Sequence, residues 1–194
     1  MGCELDVRAL VGRHPAVRSV ELAGSRAEGR ANERSDWDFV VVTDDFSVLA
    51  ADLPELCAPL GPLAQQWDRL SPYACWMLML PGPTKVDLIF PEEPYLPEPP
   101  WEATRESLVG IDRHFWDWAL WLRSKEAAGK EELVTTELEK LYVHLLEPLG
   151  ATRRPRSVAD AVGIYREARA DAERRFDCEV PRELETAVAD AVLA

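Results

Sequence analysis

Basic residues are scarce in this chain. It carries 22 Lys+Arg against 35 Asp+Glu, a formal charge of −13 over 194 residues. Duplex binding runs on neutralising phosphates with Lys and Arg, so nucleic acid is excluded as an expected partner. The deficit is general. Residues 1–100 hold 8 basic and 16 acidic side chains, and residues 101–194 hold 14 and 19, so neither half hides a basic module. Cysteine is scarce too. Cys3, Cys57, Cys75 and Cys178 lie far apart, and no pair has the CxxC spacing of a zinc site. A chain long enough to bury a core needs no disulfide framework, so idle or buried thiols in a reducing cytoplasm are expected. Long apolar runs are missing as well. The most apolar stretch, Ala74–Leu80, is seven residues, against the roughly 20 of a membrane helix. Residues 1–12 carry Glu4, Asp6 and Arg8 instead of a basic start and an apolar run, unlike a signal peptide. What remains is a globular composition: 47% apolar and 29% charged.

The clearest internal boundary is Pro91–Pro100, in which five of ten residues are proline. Proline lacks an amide donor and pushes its neighbours out of helix, so an extended connector is expected. Short β-branched and apolar runs precede it. Val17–Ala23, Asp38–Thr43, Tyr73–Leu80 and Lys85–Phe90 read as strands, the last two around the turn Pro81-Gly82-Pro83-Thr84. Glu4–Val11 and Ser47–Leu60 read as helices, the second despite Pro54, and Gln65–Leu70 has no clear period. After the connector, Leu108, Ile111, Phe115, Trp118 and Leu122 form one apolar helical stripe within 104–125. Glu131–Leu146 repeats the pattern, Ser157 is a good N-cap for a helix to Phe176, and Pro181 opens a fourth. The expected fold class is α+β: a small mixed-sheet domain at 1–90, a connector at 91–100 and an α-helical bundle at 101–194.

One segment carries chemistry. Gly24-Ser25 follows the first strand, and after ten residues Asp36-Trp37-Asp38 opens the next. Two carboxylates at i and i+2 on a strand face the same side. Held together without a cation they raise each other's pKa, and a hard divalent ion such as Mg²⁺ is the simplest remedy. A glycine after a strand lets backbone amides approach a phosphate closely, and the serine adds a hydroxyl. Arg26 and Arg34 could add charge-assisted contacts to a nucleotide. Asp87 sits in an otherwise apolar strand whose interior should reject a charge.

Gly24-Ser25-Arg26-Ala27-x-Gly29, then Ser35-Asp36-x-Asp38 and an apolar strand, resembles the signature of the DNA polymerase beta-type nucleotidyltransferase superfamily. Within it, the segment is most similar to the minimal and the aminoglycoside-type antibiotic nucleotidyltransferases. The resemblance covers about residues 17–90 and implies an enzyme in which Asp36 and Asp38 bind Mg²⁺, with Asp87 completing the site as metal ligand or general base. It implies that Gly24 and Ser25 hold a nucleoside triphosphate, ATP first, whose nucleoside monophosphate passes to an acceptor hydroxyl. The family pattern has a small or aliphatic residue between the two aspartates and Leu after them; here Trp37 and Phe39 stand there.

The acidic surplus points to a neutral or cationic small-molecule acceptor. The aromatic run Phe115-Trp116-Asp117-Trp118 reads first as core packing, and His114 and His144 as structural or surface residues. An alternative is the toxin–antitoxin type of minimal nucleotidyltransferase, which acts on or binds a protein partner. It is disfavoured because such proteins lack a large second domain. A catalytically idle binding protein is disfavoured by the intact Asp36, Asp38 and Asp87.

Overall fold

A computed structural model describes residues 2–33 and 35–194, and the chain divides into two compact units, Met1–Glu98 and Pro99–Ala194. The first is built on a five-stranded mixed sheet in the order β1-β2-β5-β4-β3. Its strands are β1 (Val17–Ala23), β2 (Trp37–Thr43), β3 (Ala64–Trp67), β4 (Tyr73–Leu80) and β5 (Thr84–Pro94). β2 and β5 run parallel, and every other neighbouring pair is antiparallel.

Alternation along the strands sorts the two faces. Phe39 and Val41 of β2, Val86, Leu88 and Phe90 of β5, and Trp76, Leu78 and Leu80 of β4 enter one core. That core also takes Val7 and Val11 of helix α1 (Gly2–Val11) and Leu49, Leu53 and Cys57 of α3 (Phe46–Cys57). Asp38 and Asp87 alternate with these core residues and therefore project from the opposite face. Asp45 caps α3, its carboxylate accepting from the Val48 amide. The expected helix Ser47–Leu60 ends at Cys57 and finishes as a 3₁₀ turn, Ala58–Leu60, closed by Gly61 in the left-handed region. Pro54 is accommodated inside α3. Of Gln65–Leu70, the stretch without a clear period, the first three residues lie in the short edge strand β3.

The proline-rich segment is more ordered than a free linker. Its first four residues continue β5. The Tyr95 and Glu98 amides then donate to the Pro72 and Arg69 carbonyls, and Arg69 pairs with Glu98 at 2.7 Å.

The second unit is helical: α4 (Leu108–Ala127), α5 (Glu131–Leu141), α6 (Glu147–Leu149), α7 (Val158–Phe176) and α8 (Glu183–Leu193). The apolar stripe of α4 is buried as expected, but Trp116, off the stripe, is fully buried too. Its indole donates to Asp112 at 3.2 Å, and Asp112 also accepts from Tyr165 at 2.5 Å and Arg169 at 3.0 Å. Arg169 in turn holds Glu185 of α8 at 2.5 Å, so one buried polar network ties α4, α7 and α8 together. α5 is shorter than the expected Glu131–Leu146 and passes into a π-helical turn, Tyr142–Leu146. Ser157 caps α7 through the Asp160 amide, as the sequence implies. His114 is structural: it is buried, accepts from the Trp101 indole at 3.3 Å and stacks on Trp118. Cys57 and Cys75 are buried thiols, and burial pushes the Cys57 thiol up to about 12. Among the described residues, no helix is long and apolar enough to cross a membrane.

Candidate nucleotidyl-transfer site

The site forms where β1 ends and β2 begins. β1 and β2 pair with Ala23 opposite Asp38, and β2 and β5 pair with Asp38 opposite Asp87. Register alone thus sets the Asp38 and Asp87 carboxylates side by side on the face away from the core. Asp36 lies just before β2 and is 7% exposed. Each of Asp36, Asp38 and Asp87 offers an oxygen, and these oxygens lie within 4.8 Å of one another. The three carboxylates that the sequence singled out are therefore brought together. An all-oxygen, all-carboxylate donor set at that separation suits a hard divalent cation.

Gly24 leaves β1 with φ +63° and starts the short helix α2 (Gly24–Ala27). A Cβ built there would stand 2.0 Å from Oδ2 of Asp38. The glycine is required twice, for its left-handed backbone and for the room it leaves the carboxylate. Ser25 follows it in α2, so the Gly-Ser pair adjoins the carboxylate cluster.

Arg26, expected to contact a nucleotide, has a structural task in this fold. Its Nε donates to the Ser35 and Asp36 carbonyls at 3.1 and 3.0 Å, and its Nη2 to Ser35 at 2.5 Å. The guanidinium carbon sits 3.9 Å from the centroid of the Trp37 ring. Arg26 thus clamps the backbone that presents Asp36, and the unusual Trp37 is the surface it rests on. Arg34, the other expected nucleotide contact, lies outside the described residues. Arg26→Lys is expected to lower the melting temperature by a few degrees and to reduce turnover more than nucleotide affinity. A point charge cannot grip two carbonyls and stack. A raised nucleotide KM with an unchanged melting temperature would instead return Arg26 to the phosphates.

Sequence reasoning missed Lys85. It is 7% exposed, and its Nζ donates to Oδ1 of Asp87 at 2.6 Å. The signal was available, since Lys85 precedes Asp87 by two residues in one strand and shares its face. Burial pushes the Asp87 carboxyl up, Lys85 pulls it down, and Asp36 and Asp68 push it up again, leaving it above the usual carboxylate range.

Residues 6–73 match the family model described as nucleotidyltransferase domain. Over these residues the sequence is similar to a nucleotidyltransferase domain. The nucleotidyltransferase resemblance read from Gly24-Ser25 and Asp36-x-Asp38 is borne out over that segment. The match includes Gly24, Ser25, Asp36 and Asp38 and stops before Asp87. No curated protein matches the sequence significantly. Similar solved structures include the following two. A cytoplasmic RNA terminal U-transferase is 23% identical with a TM-score of 0.38, over 46% of this chain and 28% of that one. This chain therefore spans little more than a quarter of that protein. An aminoglycoside 6-adenyltransferase from Bacillus subtilis is 9% identical with a TM-score of 0.34, over 97% of this chain and 95% of that one.

Proposed function

We propose that this chain is a Mg²⁺-dependent nucleotidyltransferase that moves a nucleoside monophosphate, AMP from ATP in the first instance, to a hydroxyl of a small cationic acceptor such as an aminoglycoside-type antibiotic. The observation that carries the reading is the carboxylate cluster beside Gly24-Ser25, on a segment similar to a nucleotidyltransferase domain. Asp36, Asp38 and Asp87 are the residues that would hold the cation. Bound there, it would neutralise charge on the triphosphate and favour departure of pyrophosphate. The chain's own residues supply the rest. Gly24 and Ser25 offer backbone amides and a hydroxyl to the phosphates. Arg26 and Lys85 hold Asp36 and Asp87 in place. Asp87 is positioned either to ligate the cation or to take the proton of the acceptor hydroxyl. The acceptor oxygen forms a bond to the α-phosphorus, the α–β bridging P–O bond breaks, the proton passes to a base, and pyrophosphate leaves with the electron pair. The charge of −13 supports a cationic acceptor over a polyanionic one.

The test is a turnover screen with ATP, Mg²⁺ and a panel of amino sugars and neutral polyols, read by acceptor mass and pyrophosphate release. The expected result is addition of one AMP to a cationic member, with the acceptor KM rising with salt. Turnover confined to RNA ends or to a protein partner would overturn the acceptor class. No turnover on any of these would count against the enzyme itself.

A further inference from the structure

A lysine ammonium that is buried must find a partner, because transfer of an unpaired charge out of water is prohibitively costly. Lys85 is such a residue, and it takes Asp87 as its anion. Its place in the sheet is set by the strand period. Lys85 and Asp87 share one face of β5, and Asp87 lies opposite Asp38 of β2. The ammonium therefore stands at the edge of the carboxylate cluster. Three carboxylates against one ammonium keep the cluster net negative, as a divalent cation requires.

We propose that Lys85 is the positioning residue of this site: its buried ammonium grips one oxygen of Asp87 and orients that carboxylate toward Asp36 and Asp38, so that the protein holds a single divalent cation before any nucleotide arrives. The inference rests on the metal site proposed above. Groups of this kind, which touch a ligand instead of the ion, commonly change metal affinity by about 10–100-fold when removed. Two features separate positioning from a merely structural ion pair. A structural pair stabilises the sheet whatever occupies the site, and its loss adds to any change in Asp87. A positioning lysine acts only through the Asp87 carboxylate, so its removal has no further effect once that carboxylate is gone.

The experiment titrates Mn²⁺ into the nucleotide-free protein by calorimetry, with melting temperature recorded for each variant. The set is Lys85→Met, Lys85→Gln, Asp87→Asn and the double variant Lys85→Met with Asp87→Asn. The starting protein is expected to bind one Mn²⁺. Lys85→Met is expected to weaken that binding on the order of tenfold. In the Asp87→Asn background the same change is expected to do nothing measurable. Lys85→Gln, which keeps a donor and the length, guards against a Met variant that does not fold and is expected to weaken Mn²⁺ less than Lys85→Met. Equal weakening in both backgrounds, unchanged or tighter Mn²⁺ binding in Lys85→Met, or two equivalent ions in the starting protein would each overturn the proposal. Because the titration needs neither nucleotide nor acceptor, its outcome is independent of whether the turnover screen succeeds.

Discussion

Gly24→Ala is expected to abolish most turnover while the first unit stays folded. Two costs fall on one methyl group. The residue sits at φ +63°, where a side chain costs about 1–2 kcal/mol. The new Cβ would also be placed 2.0 Å from Oδ2 of Asp38 and 2.9 Å from its Cγ. Neither can remain, so either the Asp38 carboxylate rotates out of the cluster or the β1–α2 corner moves. Both displace the carboxylate from its neighbours by more than an ångström, and misplacement of that size costs on the order of 10²-fold in rate. The core beneath is untouched, because Phe39 and Val41 point to the other face of β2. The melting temperature is accordingly expected to fall by only a few degrees. Asp38→Asn is the matched control. It keeps the shape, removes the charge and is expected to lose both turnover and Mn²⁺ binding. If Gly24→Ala kept full turnover, the close approach of Gly24 to Asp38 would have no functional meaning.

This close approach also shows how far the sequence could be read. Gly-Ser, ten residues, then Asp-x-Asp was legible because it is a local signature on a strand–turn–strand unit. Asp87 was legible for a different reason: a charge in the apolar run Val86-Asp87-Leu88-Ile89-Phe90 violates the strand's own pattern. Lys85 was legible in principle from the same period-2 argument, but its burial depends on what lies above that face, which no local pattern reports. Arg26 reads from sequence as a phosphate contact because an arginine after Gly-Ser has the right charge for phosphate. Only the fold reveals that two backbone carbonyls and an indole already occupy it. The strand Ala64–Trp67 was invisible because four residues carry too little periodicity, and its existence depends on pairing with β4. In the helical unit, caps and stripes were local and readable. The bond from Arg169 to Asp112 spans 57 residues and leaves no sequence trace beyond an acid on an apolar stripe.

That network supplies the largest expected stability effect in the chain. Arg169 is 5% exposed and Asp112 3%, and Arg169 joins Asp112 of α4 to Glu185 of α8 from its seat on α7. Arg169→Met keeps the bulk of the stem and removes the guanidinium. Asp112 retains Tyr165 and Trp116 as donors but loses its countercharge, and Glu185 retains its hydrogen bond from Arg166. Breaking one side of a buried pair costs about 3–5 kcal/mol, because the stranded charge remains desolvated. The pH dependence supplies a second reading. Burial already holds the Asp112 carboxyl above its ordinary range, against the pull of Tyr165 and Arg169. Glu185 lies below its range, since Arg169 and Arg166 outweigh its burial. Without Arg169, both carboxyls shift upward in the folded state. A raised folded pKa destabilises the charged form, and that penalty disappears as pH falls through the folded value. A depressed one stabilises only above the unfolded value, so its loss matters least in acid. Both signs agree: the deficit of Arg169→Met is expected to be greatest at neutral pH and to narrow steadily on acidification. Denaturant melts of the two proteins at pH 7 and near pH 4.5 measure it. A deficit that is constant between the two would mean that lost packing of the stem, and not the stranded carboxylates, carries the effect.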